Sequence, residues 1–243
     1  MVRVARVVAP GIPHHVTQRG NRRQPTFFRD EDFMLYRSLL REMCHVSGVE
    51  IWAYCLMPNH VHLVLVPPTV RSLRQAVSET HRRYTTRINQ REGWTGHLWQ
   101  GRFFSYPMDQ SYLLHAVRYI ELNPVRAGLS VRPEDYLWCS ARARILGKKD
   151  RLITTTVFDD VRTRALLASA TVADEEADRF RAHERSGLPL GSSEFIQDLE
   201  KQLNTNLQRH KCGRPRKKLT QAGGESAEGN NRLHDEVRPS AGG

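Results

Sequence analysis

Val49-Glu50-Ile51-Trp52-Ala53-Tyr54-Cys55-Leu56, then Met57-Pro58-Asn59, then His60-Val61-His62-Leu63-Val64-Leu65-Val66 is the stretch on which the fold turns. Two runs of β-forming residues flank a Pro-Asn break, and Pro67-Pro68 closes the second run, so the pattern predicts a β-hairpin. Upstream, Pro13-His14-His15-Val16-Thr17-Gln18-Arg19 reads as a strand, with Gly20-Asn21 as its turn. Between these, Asp30 is placed to cap a helix. Phe33, Tyr36, Leu40 and Met43 follow helical spacing until Gly48 stops it. Downstream, Leu73, Val77, Thr80, Tyr84 and Ile88 make the buried stripe of a helix over residues 72–89. Residues 98–108 read as a further strand. Asp109 caps a helix reaching to Asn123, where Pro124 ends it. The order strand, helix, strand, strand, helix, strand, helix fits an α+β fold: a ferredoxin/RRM-like antiparallel sheet with helices on one face. The pattern leaves the strand order open.

A chain of 243 residues, 39% apolar and 26% charged, has room for a sizeable core with attachments. The mean hydropathy of −0.56 and the lack of a long apolar run exclude a membrane span. The first ten residues hold too short an apolar stretch for a secretory signal, so a cytoplasmic location is expected. Lys plus Arg outnumber Asp plus Glu by 37 to 26, a formal net charge of +11. Such a surface favours a polyanion, of which nucleic acid is the commonest. Cys44, Cys55, Cys139 and Cys212 form no Cys-x-x-Cys pair, which argues against a zinc ribbon, and the first three fall in core patterns. The texture changes after Gly147. Residues 1–147 read as the main domain and 148–208 as a helical extension, with Phe195, Ile196, Leu199 and Leu203 on one helix. Residues 209–218 form a basic strip, and 219–243 a polar, Gly-rich tail expected to be disordered.

On a strand, residues two apart share a face, so His60 and His62 present two imidazoles on one side while Val61 enters the core. Two fixed imidazoles are two legs of a divalent-metal site; an edge-strand pair facing solvent is the bland alternative. On a helix, Tyr119 and Asn123 project together as i and i+4. A phenol beside an amide oxygen suits a metal-assisted nucleophile attacking a phosphate. The bland alternative is a core aromatic and a helix C-cap. Basic residues offer a DNA surface: Arg19, Arg22 and Arg23 after the first strand, and Arg82, Arg83 and Arg87 along one helix. Arg102 joins Trp99 as guanidinium and stacking indole, and Arg214, Arg216 and Lys217 lie in the basic strip.

Met57-Pro58-Asn59-His60-Val61-His62-Leu63-Val64 resembles the HUH strand of single-tyrosine transposases. Tyr119-Ile120-Glu121-Leu122-Asn123-Pro124-Val125-Arg126-Ala127-Gly128-Leu129 resembles their tyrosine helix. Pro13 to Arg22, His97 to Phe103 and Asp135 to Ser140 match the same pattern in the same order. Gly187 to Ile196 and Gly213 to Lys217 resemble the extension of the larger REP-associated tyrosine transposases. Cys139 stands where a serine is usual. Cys212 stands where an arginine is usual, which weakens an AT-hook-like reading of the tail. The resemblance implies the HUH nuclease fold and cleavage of single-stranded DNA bearing a palindromic hairpin, through a 5′-phosphotyrosyl link. It implies Tyr119 as nucleophile, with Mg²⁺ or Mn²⁺ held by His60, His62 and, at the position of the third ligand, Asn123. It also implies association with the nucleoid. The rival reading is a module of the same fold that grips DNA hairpins without cutting them.

Cutting the chain after Leu207 removes Arg209, Lys211, Arg214, Arg216, Lys217 and Lys218. DNA affinity should fall and its salt dependence flatten, by a slope of roughly one per lost phosphate contact. Titrations at several salt concentrations check this; an unchanged slope would mean that the strip only raises solubility.

Overall fold

Strands β1 (His14–Arg19), β2 (Glu50–Met57), β3 (His60–Val66) and β4 (Phe104–Pro107) form one antiparallel sheet in the order β2-β3-β1-β4. The structure is a computed structural model that describes residues 6–155, 157–158, 164–165 and 174–207. Because β3 lies between β1 and β2, and β1 between β3 and β4, the chain makes two interlocked split βαβ units. This is the ferredoxin-like arrangement, and it supplies the strand order that the pattern left open.

The register sorts side chains between two faces. Thr17 lies opposite His62, Arg19 opposite His60 and His15 opposite Val64. The alternate residues Val16, Val61, Leu63 and Leu65 therefore share the other face, with Tyr54 and Leu56 of β2. There they meet α1 (Asp30–Ser47) through Tyr36 and Leu40, and α2 (Ser72–Glu92) through Leu73, Val77 and Tyr84. Each such aliphatic side chain contributes about 1.5–3 kcal/mol by burial. The histidine-bearing face is also covered. Ala53, Cys55, Met57, Val64 and Tyr106 pack with Leu113, Ala116, Val117 and Ile120 of α3 (Gln110–Glu121).

Several boundaries differ from the sequence expectation. Asp30 is the first helical residue of α1, not its cap; Asp32 instead accepts the N–H of Phe28 at 2.9 Å. The expected strand over 98–108 keeps only its last part. Gly96 and Gly101 adopt left-handed φ of 91° and 68°, so the earlier residues curl into a loop rather than extend. Asp109 does cap α3, accepting from the N–H of Tyr112 at 3.0 Å. That helix ends at Glu121, two residues before Asn123, and a short α4 (Asn123–Arg126) begins with Pro124 in its first turn, where a missing N–H costs nothing. Glu121 is clamped from below by α5 (Ala141–Ile145): Arg144 donates to its carboxylate at 3.1 Å and to the Trp52 carbonyl at 3.0 Å, and Ser140 also donates to the carboxylate. Farther on, α6 (Asp174–Ser186) packs Phe180 into the covered sheet face, and α7 (Ser193–Leu203) is capped by the Ser192 hydroxyl. Cys44, Cys55 and Cys139 are buried free thiols, as their patterns predict. No helix among the described residues is long and apolar enough to cross a membrane.

His81 of α2 is buried, bonded through Nε2 to the Tyr36 hydroxyl at 2.9 Å and stacked on Trp99 with centroids 4.5 Å apart. Burial lowers its pKa from 6.5 to about 3. The stability contributed by this neutral ring is therefore full above the unfolded pKa and lost as pH falls toward the folded one, at ~1.4 kcal/mol per pH unit. The urea midpoint should drop between pH 6.5 and 4, and drop less in His81→Phe, which cannot take a proton. Parallel pH profiles would place the acid sensitivity at other groups.

Candidate active site

On the covered face of the sheet, β3 supplies His60 and His62, β1 supplies His15, and β4 supplies Tyr106. α3 lays Tyr119 over them. Its ring centroid lies 6.0 Å from that of His62 and 6.2 Å from that of His15, nearly perpendicular to both. Phe180 of α6 stacks on the other side of Tyr119 at 4.9 Å, leaving the tyrosine 4% exposed. From the same helix, the Glu184 carboxylate comes within 3.6 Å of His62 Nδ1 and 3.9 Å of His15 Nε2.

Hydrogen bonds set the ring tautomers. The Asn59 amide donates through Nδ2 to the Arg23 carbonyl, which turns its oxygen toward His60 Nδ1 at 2.6 Å. That oxygen can only accept, so Nδ1 of His60 carries the proton and Nε2 keeps its lone pair. His15 Nε2 and His62 Nδ1 are 3.0 Å apart, and His15 Nδ1 is 2.7 Å from the Tyr106 hydroxyl. Burial lowers His60 to about 4, with Arg19 adding to it, and His15 to about 3. Burial, then the neighbouring His60 and His15, push His62 well below its usual range. All three rings are thus neutral at pH 7, the state in which imidazole ligates metal. For His62 to offer Nε2 to an ion, its Nδ1–H must donate to His15, whose Nδ1–H then donates to Tyr106. His15 is in that case the residue that orients His62.

His62 belongs to two candidate donor sets, one expected from the sequence and one that the structure brings together. One is the sequence-predicted group of His60, His62 and Asn123. The other is His15, His62 and Glu184, whose ligand atoms all lie within 4.8 Å of one another. Both combine imidazoles with a side-chain oxygen, which suits Mn²⁺ and, with water and phosphate completing the shell, Mg²⁺. Asn123 opens α4, and its Nδ2 is buried without a hydrogen-bond partner. Burial, then Glu184, raises the Tyr119 phenol to about 12; Arg126, whose guanidinium lies 5.2 Å from the ring centre, and Arg181 work against that rise.

The basic residues divide. Arg19, Arg22, Arg23, Arg87 and Arg102 are exposed. Arg82 and Arg83 are both tied to Glu79, and Arg83 also to Glu42, so part of their charge is already answered. Trp99 is not a stacking platform. It is 6% exposed and locked in the core against His81, Tyr36 and Tyr84, with no face free for a base. Arg214, Arg216 and Lys217 lie outside the described residues. The sequence reading missed His15, Tyr106, Arg126, Phe180 and Glu184. His15 was within reach of strand alternation, since it shares a face with Thr17 and Arg19. Glu184 carries no local signal at all.

Residues 10–123 match the family model described as "Transposase IS200 like". No curated protein matches the chain. Among solved structures, a REP-associated tyrosine transposase bound to a REP hairpin is similar with a TM-score of 0.50 at 19% identity, covering 71% of this chain and 100% of that one. A candidate transposase from Deinococcus radiodurans R1 matches 49% of this chain and 96% of its own, at 21% identity and a TM-score of 0.35.

Mn²⁺ binding, followed by isothermal titration, should be lost in His62→Ala, because that ring belongs to both donor sets. Glu184→Gln keeps the shape and removes the charge, and should weaken Mn²⁺ binding about tenfold or more. Unchanged binding would leave His60, His62 and Asn123 as the set.

Proposed function

Residues 10–123 belong to the IS200-like transposase family, and from that premise we propose that the protein is a metal-dependent single-stranded DNA endonuclease and strand-transferase. Its substrate is a REP-type palindromic hairpin with single-stranded flanks, and its chemistry runs through a 5′-phosphotyrosine intermediate. The observation that carries this reading is the packing of Tyr119 across His62 and His15 in one buried cluster. A bound Mg²⁺ or Mn²⁺ supplies charge neutralisation at the scissile phosphate.

The phenol oxygen of Tyr119 attacks phosphorus; the new Oη–P bond replaces the bond from phosphorus to the 3′-oxygen, which leaves with the phenol's proton as a free 3′-hydroxyl. The phosphotyrosyl bond keeps the energy of the phosphodiester, so the reverse attack rejoins strands without ATP. Arg126 opposes the rise in phenol pKa and so favours the attacking oxygen. His60, His62 and Asn123 would hold the ion, with the Glu184 carboxylate beside His62 adding to its affinity, and His15 would fix the His62 ring. Arg19, Arg22, Arg23, Arg87 and Arg102 meet phosphates, with the basic strip of Arg214, Arg216 and Lys217 beyond. Residues 1–147 form the catalytic domain, 148–208 the helical extension and 209–218 the DNA-contacting strip.

One observation favours the rival reading of a module that binds hairpins without cutting: Phe180 covers Tyr119. Cleavage requires that α6 yield to the incoming strand.

Tyr119→Phe removes one oxygen and almost no volume. Cleavage and the covalent protein–oligonucleotide band on a denaturing gel should vanish together, with hairpin affinity and melting temperature near wild type. Tyr112→Phe is the control: it removes a hydroxyl from the same helix as Tyr119, one that accepts from Arg179 of α6 at 3.2 Å, and most activity should remain. An adduct in Tyr119→Phe would place the nucleophile elsewhere. Loss of cleavage with early melting would favour the binding module.

A further inference from the structure

We infer that Phe28 and Trp94 form a stacking subsite for an unpaired base of the single-stranded DNA flank, with Arg22 and Arg23 holding the phosphates beside it. The inference rests on the DNA-cleaving reading for its substrate class and adds a site that no part of that chemistry requires. Phe28 is 42% and Trp94 48% exposed, and their rings meet edge to face with centroids 5.5 Å apart. The neighbouring Phe27 shows the contrast: it is buried and stacked on Phe33. Two large aromatics left together in water form a patch that asks for an occupant.

Both are held in place rather than loose. Asp32 accepts the N–H of Phe28 and is gripped by two nitrogens of Arg91, whose guanidinium lies 5.8 Å from the centre of the Phe28 ring. The Trp94 N–H bonds the Asn89 carbonyl at 2.9 Å, just after Gly93 turns the chain at a φ of 67°.

Charge of both signs lies near the pair, since Asp30, Glu31 and Asp32 follow Phe28 in the chain and Glu92 precedes Trp94, but Glu31, Asp32 and Glu92 are already answered by Arg29 and Arg91. Residues 19–29 contain four arginines and no carboxylate. Arg22 and Arg23 make no ion pair among the described residues, and both adopt left-handed φ, 53° and 62°, which is costly for residues with a Cβ. The turn that forces this is closed tightly. The Gly20 N–H bonds the Asn59 carbonyl at 2.8 Å, the Asn59 amide bonds the Arg23 carbonyl at 3.1 Å, and a Cβ on Gly20 would fall 2.3 Å from the Gln24 carbonyl oxygen. The same Asn59 holds His60, so the strained turn is tied directly to the candidate metal histidine. Exposed aromatics, unanswered guanidiniums and a fixed link to the cutting site together match how single strands are bound: stacking on rings, with phosphates tracked by cations.

The test uses the full chain carrying Tyr119→Phe, without divalent metal, so that binding is read apart from cleavage. The ligands are a blunt hairpin and the same hairpin with a four-nucleotide extension on its 5′ or 3′ side, with 2-aminopurine in the extension. Phe28→Leu and Trp94→Leu should each weaken binding of one extended hairpin about tenfold and abolish its 2-aminopurine quenching. Blunt-hairpin affinity should be unchanged, and Phe28→Tyr should restore both signals. Arg22→Gly with Arg23→Gly relieves the backbone; it should leave the melting temperature equal or higher while flattening the salt slope for the extended hairpin by roughly two. Equal loss for blunt and extended hairpins, or no loss for either, overturns the inference. Extension-specific loss in a protein whose wild type never cleaves would retain the subsite and discard the nuclease reading.

Discussion

The register between β1 and β3 is the constraint on which the rest depends. Thr17 sits opposite His62 and Arg19 opposite His60. A slip of one residue on either strand would turn its whole set of side chains over. On β3 that would bring His60 and His62 into the apolar core under α1 and α2 and send Val61, Leu63 and Leu65 to the site. Burying those three aliphatic groups therefore fixes the histidines as a by-product. The turn reinforces the register, because the Pro58 carbonyl accepts from the N–H groups of Thr26 and Phe27 at 2.8 and 3.1 Å. One alternation thus builds both the core and the candidate site.

The site face carries a cost that the core face does not. His15 and His62 are buried, which keeps both rings neutral, and they share a hydrogen bond. Such a network stabilises only when each member is satisfied. Tyr119 must be held over it, and the buried Glu121–Arg144 pair fixes the end of its helix against β2. Removing one member of a buried ion pair costs about 3–5 kcal/mol. The lock lies two residues from Tyr119, so a change there would reach the chemistry through the position of α3.

The element order, the hairpin, the facing of His60 and His62 and the capping by Asp109 were legible because each depends on local alternation or spacing. The α1 cap was misassigned to Asp30 because three acids stand in the first turn and only the fold decides that Asp32 reaches Phe28. Trp99 looked like a base-stacking residue because it stands beside Arg102. It is in fact the ring on which His81 and Tyr36 pack, and an isolated aromatic in a glycine-rich stretch gives no sign of which side of the chain is covered. Asn123 was read as one helix with Tyr119, whereas the helix breaks at Leu122. Glu184 and Phe180 were invisible: more than sixty positions separate them from Tyr119 in the chain, and only tertiary packing joins them to it.

Net charge alone does not say where a polyanion would lie. On α2, Arg82 and Arg83 are held by Glu79 and Glu42, so the residues that look most like a basic stripe in the sequence are partly neutralised in the fold. Arg37 is held by Asp150, and Arg91 by Asp32. The arginines without an ion pair among the described residues include Arg19, Arg22 and Arg23, which follow one another from the end of β1 into the turn that Asn59 clamps. Arg19 also lowers the pKa of His60 and His62, so its field reaches the imidazoles. A phosphate drawn to these three cations is thereby brought to the end of the sheet where His60 is partly buried and its Nε2 is unprotonated. Pairing with carboxylates thins the positive charge on α2, while these three arginines, like Arg87 and Arg102, have no ion pair among the described residues, and they are the ones that stand at the end of the sheet beside His60.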